Sequence, residues 1–203
     1  MKTNPSLNRS LTTLLCAATA TLLILSQPAQ AGYAVTLEQV GSNVVATGSG
    51  AIDLTGLIFQ GSGGFASFMN PSNGSILTGP ATLISLDEYA GIHGPASFGT
   101  HSGTENASSG SGDLVGIIND QFLLVPSGYV SGPLSGSSTY DSATLSSLGV
   151  TPGIYEWTWG DGGADQNFTL QVQEVPEPAT WLAGFLALIT LFGANRLRFF
   201  RLA

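Results

Sequence analysis

Basic and acidic residues occupy separate parts of this chain of 203 residues. All 13 acidic residues lie between Glu38 and Glu177. All five basic residues lie outside that stretch, near the two ends: Lys2, Arg9, Arg196, Arg198 and Arg201. Basic residues that flank apolar segments stay on the cytoplasmic side of a membrane. The pattern therefore predicts two cytoplasmic ends and an acidic middle segment that crosses to the other side.

The N-terminal segment, residues 1–31, has the pattern of a secretory signal peptide. Its two basic residues precede an apolar stretch from about 11 to 25, and small residues follow at Ala29 and Ala31. Small side chains at these positions suit the signal peptidase pocket, so we predict cleavage before Gly32. The alternative is a short N-terminal anchor that stays attached.

The C-terminal segment, residues 175–203, has three successive parts. It begins with Pro176-Glu177-Pro178, continues with an uncharged apolar run from 179 to 194, and ends with a tail, 195–203, that carries the three arginines. At about 1.5 Å per residue the apolar run spans roughly 24 Å as a helix, which is short of a hydrocarbon core of roughly 30 Å. Snorkelling arginines and local thinning of the bilayer compensate for the difference. We predict a single marginal transmembrane helix, and the alternative is a buried core helix.

These three parts, in this order, resemble the PEP-CTERM sorting signal of Gram-negative bacteria. That signal is a C-terminal tag which the membrane enzyme exosortase is thought to cut during export. The resemblance covers residues 175–203 alone. It implies that Pro176, Glu177 and Pro178 are recognised, and that Arg196, Arg198 and Arg201 retain the tail in the membrane. It also implies that exosortase is a processing partner, in addition to the signal peptidase predicted from the N-terminal segment. It further implies that the inner membrane holds the precursor transiently and that the mature protein reaches the cell surface or an exopolysaccharide matrix.

The middle segment, residues 32–174, is predicted to be one all-β domain. It is rich in glycine, serine, threonine and β-branched residues, and no long stretch has helical spacing with caps. We expect a single β-sandwich or jelly-roll-like fold. The predicted strands are 33–40, 44–47, 51–59, one or two within 76–86, 114–118, 121–125, 153–159 and 166–172.

Two local features of this segment are more specific. Asn119 and Asp120 are expected to form the turn between two of the strands. Residues 145–150 are expected to form one helical turn, capped by Asp141 or Ser142 and ended by Gly149.

The predicted strand 153–159 has an aromatic face that consists of Tyr155, Trp157 and Trp159. Exposed, this face would be a platform on which sugar rings stack. Buried, it would belong to the core, which is the usual place for alternating aromatic residues in a sandwich and the interpretation we favour.

Two weaker candidates are metal sites. Asp161 and Asp165 flank a glycine-rich turn that could hold Ca²⁺, although two carboxylates do not fill the six to eight positions that the ion takes. His93 and His101 lie in a glycine-rich stretch near Glu105, but their spacing matches no zinc pattern. We favour a plain turn and histidines in a solvated, mobile loop, and we expect no metal or cofactor.

Three functions remain open after the sequence alone. The first is a structural or adhesive protein of the cell surface or of an exopolysaccharide (biofilm) matrix, the role usually proposed for the family. The second is a carbohydrate-binding module, and the third is a secreted hydrolase that uses two carboxylates. The only cysteine, Cys16, lies in the signal peptide, and no nucleophile motif is present, so we expect no catalytic activity. A middle segment without Lys or Arg would repel phosphates, which excludes nucleic acid as a partner.

Overall fold

The computed structural model describes residues 32–173, which form thirteen β-strands. The predicted cleavage residues Ala29 and Ala31, the sorting triplet, the apolar run 179–194 and the arginine tail lie outside the described residues. Within residues 32–173, no helix is long and apolar enough to cross a membrane. The strands are β1 (Tyr33–Val40), β2 (Asn43–Ala51), β3 (Ile58–Phe65), β4 (Phe68–Asn70), β5 (Ser75–Thr78), β6 (Ile84–Ala90), β7 (Glu105–Asn106), β8 (Ser109–Gly112), β9 (Val115–Ile118), β10 (Phe122–Pro126), β11 (Pro133–Tyr140), β12 (Gly153–Thr158) and β13 (Asn167–Gln173).

The strands form two sheets. One has six strands in the order β12-β13-β1-β2-β11-β8, and the other has seven in the order β3-β6-β10-β9-β5-β4-β7. β1 pairs in parallel with β13, and the other paired strands within these sheets run antiparallel. The all-β prediction is therefore confirmed for residues 32–173. A jelly roll has eight strands, whereas residues 32–173 form thirteen.

Side chains from both sheets meet in one core. In the six-stranded sheet, Tyr33, Val35 and Leu37 alternate along β1 and are fully buried. In the seven-stranded sheet, Leu123 of β10 joins the same cluster, whereas its neighbour Leu124 packs into a second, smaller cluster. Successive side chains of a strand point to opposite faces, so the seven-stranded sheet buries apolar side chains on both faces. Residues 32–173 thus contain one core that both sheets line and a second, smaller cluster.

One buried hydroxyl group links the two sheets. Ser138 of β11 is fully buried, and its Oγ accepts a hydrogen bond from the Gly79 N–H and donates one to the Gly79 carbonyl, at 2.8 and 2.9 Å. Gly79 directly follows β5 of the other sheet. A buried hydroxyl costs little when both its donor and its acceptor are satisfied, so this pair connects the sheets without an unpaired polar group.

The predicted hairpins are confirmed. β1 pairs with β2, β9 with β10 and β12 with β13, each antiparallel. Asn119 and Asp120 both have positive φ, 53° and 54°, and the Gln121 N–H donates to the Ile118 carbonyl. Two consecutive positive φ values are those of a type I′ turn, whose twist matches that of the flanking strands. Residues 119–121 separate the paired Ile118 and Phe122.

The predicted strand 51–59 is wrong. Ala51 ends β2 and Ile58 begins β3, and the residues between them turn instead. Asp53 Oδ1 accepts a hydrogen bond from the Thr55 N–H at 2.9 Å, which is an Asx turn, and the Leu57 N–H bonds back to the Leu54 carbonyl. Local side-chain bonds of this kind compete with strand pairing.

Two strands rich in glycine and serine, β8 and β11, have no counterpart in the sequence prediction. β8 has no β-branched or aromatic side chain, and β11 has only Thr139 and Tyr140, at its end, so the composition that marks a strand is absent or sparse. The small residues are nevertheless required, because a Cβ atom on Gly136 of β11 would overlap the Asp113 carbonyl oxygen. Close approach of neighbouring backbones selects glycine here.

The predicted helical turn forms, but with a different cap. The Leu148 N–H bonds to the Thr144 carbonyl, and Gly149 ends the turn with φ 60°. The Thr144 hydroxyl accepts from the Ser147 N–H while the Ser147 hydroxyl accepts from the Thr144 N–H, both at 2.9 Å. This reciprocal pair has the form of a capping box, so Thr144 replaces the predicted Asp141 or Ser142.

Candidate functional site

The aromatic strand β12 lies with its tryptophans in the core. Trp157 is 0% exposed and Trp159, which directly follows the strand, is 2% exposed. The Trp157 ring meets Phe168 edge to face, with ring centroids 5.9 Å apart. The Trp159 Nε1–H donates to the Asp53 carbonyl at 2.7 Å. The prediction of a core face is confirmed for both tryptophans, and the alternative of a stacking platform is wrong for them because such a platform needs an open ring face.

A loop covers the outer edge of this strand. Both backbone groups of His93 pair with those of Thr158, with each N···O distance at 2.9 Å. A Cβ atom on Gly94 would overlap the Trp157 ring, so the loop lies directly against the indole. The chain itself therefore covers the end strand of the sheet at Thr158 and Trp157, and covering an edge with a loop is one way in which proteins protect it.

Tyr155 is the one member of the aromatic face with part of its surface exposed. Its ring meets that of Phe98 edge to face, with ring centroids 6.0 Å apart. Its hydroxyl donates to the Thr151 carbonyl at 3.0 Å. On the opposite face of the same strand, Ile154 is 71% exposed. Tyr155 by itself does not make the continuous aromatic surface that the sugar-stacking hypothesis requires.

The turn that bears Asp161 and Asp165 is held by hydrogen bonds. Asp165 has φ 62°, its Oδ1 accepts from the Gly32 N–H at 2.9 Å, and its carbonyl accepts from the Asp53 N–H at 2.9 Å. Asp161 is exposed. Among residues 32–173, no three His, Cys, Asp or Glu side chains converge as a metal site would require. Asp165 thus serves as an acceptor between distant parts of the chain.

Gln166 completes this contact between the turn and residues 53–55. Its Nε2 donates to the Thr55 carbonyl at 3.1 Å and to Asp53 Oδ2 at 3.3 Å, while its Oε1 accepts from the Gly163 N–H at 2.8 Å. Hydrogen bonds from Thr55 hold the pKa of Asp53 below its usual value. We call Asp53, Asp165 and Gln166 the polar clasp. Asp53-x-Thr55 is typical of an Asx turn, whereas no sequence signal pairs Asp53 with Gln166.

The two histidines do not form a site. His93 is exposed, and His101 Nε2 lies 3.0 Å from Glu105 Oε1, with both side chains partly exposed. An exposed pair of this kind contributes little to stability. The glycine-rich stretch around them predicts a mobile loop, whereas the structure anchors it through Phe98, which is buried and whose backbone bonds to Pro71 and Thr151.

A second carboxylate that the sequence does not single out joins three segments. Asp87 of β6 accepts hydrogen bonds from the Ser62 hydroxyl at 2.6 Å, the Ser127 hydroxyl at 2.9 Å and the Gly128 N–H at 2.9 Å. These hydrogen bonds hold the pKa of Asp87 below its usual value, and the bond from Ser62 has the largest effect. Asp87 therefore acts as a structural acceptor.

No family model, curated protein or solved structure matches this chain in the three comparisons made.

Proposed function

We propose that this chain is an exported structural or adhesive protein of the bacterial cell surface or of an exopolysaccharide matrix, delivered by a C-terminal PEP-CTERM-type signal. The observation that carries the proposal is the separation of charge. The folded part, 32–173, has no Lys or Arg, and the basic residues stand beside the two terminal apolar runs. Such a chain suits export of the middle with both ends held inside until they are processed.

The roles of the polar side chains support a function without catalysis. Asp53, Asp87 and Asp165 each accept a hydrogen bond that joins separate segments of the domain, from Gln166, Ser62 and Gly32 respectively. Trp157 and Trp159 are buried in the core. These side chains are used to hold the fold together, as expected of a protein that works through its shape and surface. The acidic surface favours solubility and suits divalent cations as bridges to acidic polysaccharide.

The strand topology also suits processing at both ends. Because β1 and β13 run parallel, Gly32 and Gln173 lie at opposite ends of this strand pair. The paired length is roughly 17 Å at about 3.3 Å per residue. Two processing enzymes would therefore approach different ends of the domain, signal peptidase before Gly32 and exosortase near Pro176.

The test is expression of the full chain in two isogenic hosts, one with and one without an exosortase. We expect mass spectrometry of the surface fraction to find a chain that begins at Gly32 and lacks the arginine tail only in the host with the enzyme. Replacement of Pro176, Glu177 and Pro178 by alanine should leave the protein in the membrane. The matched control is Pro152→Ala, which changes a proline outside the triplet and should be sorted normally. A surface protein that retains its arginine tail would refute the proposal.

A further inference from the structure

The N-terminal residue of the predicted mature chain is bound to a carboxylate. The Gly32 nitrogen donates to Asp165 Oδ1 at 2.9 Å, across 133 positions of the chain. Chain termini are usually poorly ordered unless they are tied down. Here Gly32, the first residue after the predicted cleavage point, is held before the first strand begins.

The backbone of Gly32 is closely surrounded. It is buried, with φ 104°, and a Cβ atom on it would overlap the side chain of Asn167. A Cβ atom on Gly50 would overlap the Gly32 carbonyl oxygen, so that side is also filled. Only glycine tolerates this conformation in this space. The site therefore fixes the position of the nitrogen atom.

A second acceptor next to Gly32 lacks a partner. The Asn167 Nδ2 donates to Glu156 Oε1 at 2.9 Å, which turns its Oδ1 toward Gly32. This oxygen is buried and has no hydrogen-bond partner in residues 32–173. In the uncleaved chain the Gly32 amide has one N–H, which already bonds to Asp165. A buried acceptor without a donor is costly, so the site is one donor short.

We propose that Asp165 and Asn167 form a receptor site for the new N-terminus, which signal-peptide cleavage completes. The inference rests on the proposed export of this chain. Hydrolysis breaks the Ala31–Gly32 peptide bond and consumes one water molecule. It leaves a carboxylate on Ala31 and an ammonium group on Gly32. The ammonium group keeps the bond to Asp165, now as an ion pair, and offers two further N–H donors beside Asn167 Oδ1.

The charge distribution favours this site. Residues 32–173 contain no Lys or Arg, so the ammonium group is the only cation of the mature domain besides its histidines. Glu156, bonded to Asn167, and Asp53, whose N–H bonds to the Asp165 carbonyl, add negative charge around it. A charge-assisted bond is stronger than the amide bond that it replaces. Maturation thus tightens the junction of β1 with β13 and with the polar clasp.

The experiment compares three forms of residues 32–174 that differ at the N-terminus. One begins with free Gly32, released by a protease that cuts before it, one has an acetylated Gly32, and one keeps Ala31. Each is made in the wild type and in Asp165→Asn, and thermal unfolding is followed by circular dichroism at pH 6.5. We expect acetylation or the extra Ala31 to lower Tm by about 2 to 4 °C in the wild type. In Asp165→Asn this difference should fall below about 1 °C.

The control is Asp161→Asn, which removes an exposed carboxylate from the same turn and should leave the full difference between free and acetylated forms. Equal Tm values for these forms in the wild type, or an unchanged difference in Asp165→Asn, would overturn the ion pair. N-terminal sequencing of the exported protein separates this result from the proposed function. If cleavage occurs before Gly32 but acetylation has no effect on Tm, the proposed export is supported and the proposed receptor site is refuted. Cleavage at another residue removes the maturation step, whatever the domain measurements give.

Discussion

Replacing each buried tryptophan by phenylalanine separates the two contributions of an indole ring, its volume and its N–H group. Trp157 and Trp159 are both almost fully buried, and they are only two positions apart. The Trp159 Nε1–H bonds to the Asp53 carbonyl at 2.7 Å. The Trp157 Nε1–H is buried and has no partner in residues 32–173. The two substitutions therefore remove a similar side-chain volume, but Trp159→Phe loses a hydrogen bond whereas Trp157→Phe removes an unpaired N–H group.

The magnitudes follow from these contacts. Phenylalanine lacks about three ring atoms of tryptophan, which at about 0.8 kcal/mol per buried methylene-sized group costs roughly 2 kcal/mol. Trp159→Phe also loses a hydrogen bond, for about 1 kcal/mol more. Trp157→Phe removes an unpaired buried N–H, whose desolvation cost of about 1 to 3 kcal/mol is relieved. The free energy of unfolding should thus fall by about 3 kcal/mol for Trp159→Phe and by less than about 1 kcal/mol for Trp157→Phe.

Urea denaturation of residues 32–174, followed by far-UV circular dichroism, measures both values under the same conditions. Ile154→Ala is the control on the same strand, since its side chain is 71% exposed, and it should change stability by no more than about 0.5 kcal/mol. A Trp157→Phe loss as large as that of Trp159→Phe would refute the reasoning. A small loss for both would place the rings outside the core and reopen the sugar-stacking hypothesis.

Three further predictions concern other parts of the domain. Gln39 Nε2 lies within hydrogen-bond distance of three backbone carbonyl groups, which share its two N–H donors. Gln39→Glu sets a carboxylate against these carbonyl groups, so it should lower the unfolding free energy by about 2 kcal/mol in urea titrations, and by more than Gln39→Ala does. The pKa of Asp87 is lowered in the folded state, so its stabilising effect is present above the unfolded pKa of about 3.9 and disappears as pH falls through the folded pKa. Asp87→Asn should therefore lower Tm more at pH 7 than at pH 2, and an equal loss at both pH values would contradict this. A Cβ atom on Gly116 would overlap a backbone carbonyl of β5, whereas one on Gly64 meets nothing within 4 Å. In the same titration, Gly116→Ala should lower the free energy of unfolding by about 1 to 3 kcal/mol, and Gly64→Ala by less than about 0.5 kcal/mol.

The strands that the sequence predicted correctly carry a local signal. β1 alternates apolar and polar residues, and the β9–β10 turn contains Asn119 and Asp120, which tolerate positive φ. β11 carries no such signal, because its glycine and serine residues are selected by the close approach of other strands. Its place between β2 and β8 depends on partners far away in the chain. Local patterns are therefore sufficient for the hairpins and insufficient for the sheet order.

For the candidate sites as well, local sequence predicted one feature, and distant parts of the chain decided another. The alternation of β12 predicted that Tyr155, Trp157 and Trp159 share a face, and side-chain alternation is a local property of a strand. Whether that face is covered depends on the loop that contains His93 and Gly94, which reaches the strand from a distant part of the sequence. No pattern within the strand reports on that loop.

The sequence by itself determined the division of this chain into an acidic middle and two basic, apolar ends, and the all-β class of that middle. Charge, hydropathy and strand alternation depend on neighbouring residues only. Only the tertiary structure decided that the tryptophans are core and that the predicted mature N-terminus meets Asp165. Those contacts join residues more than a hundred positions apart, and their geometry is fixed by how the strands pair and pack.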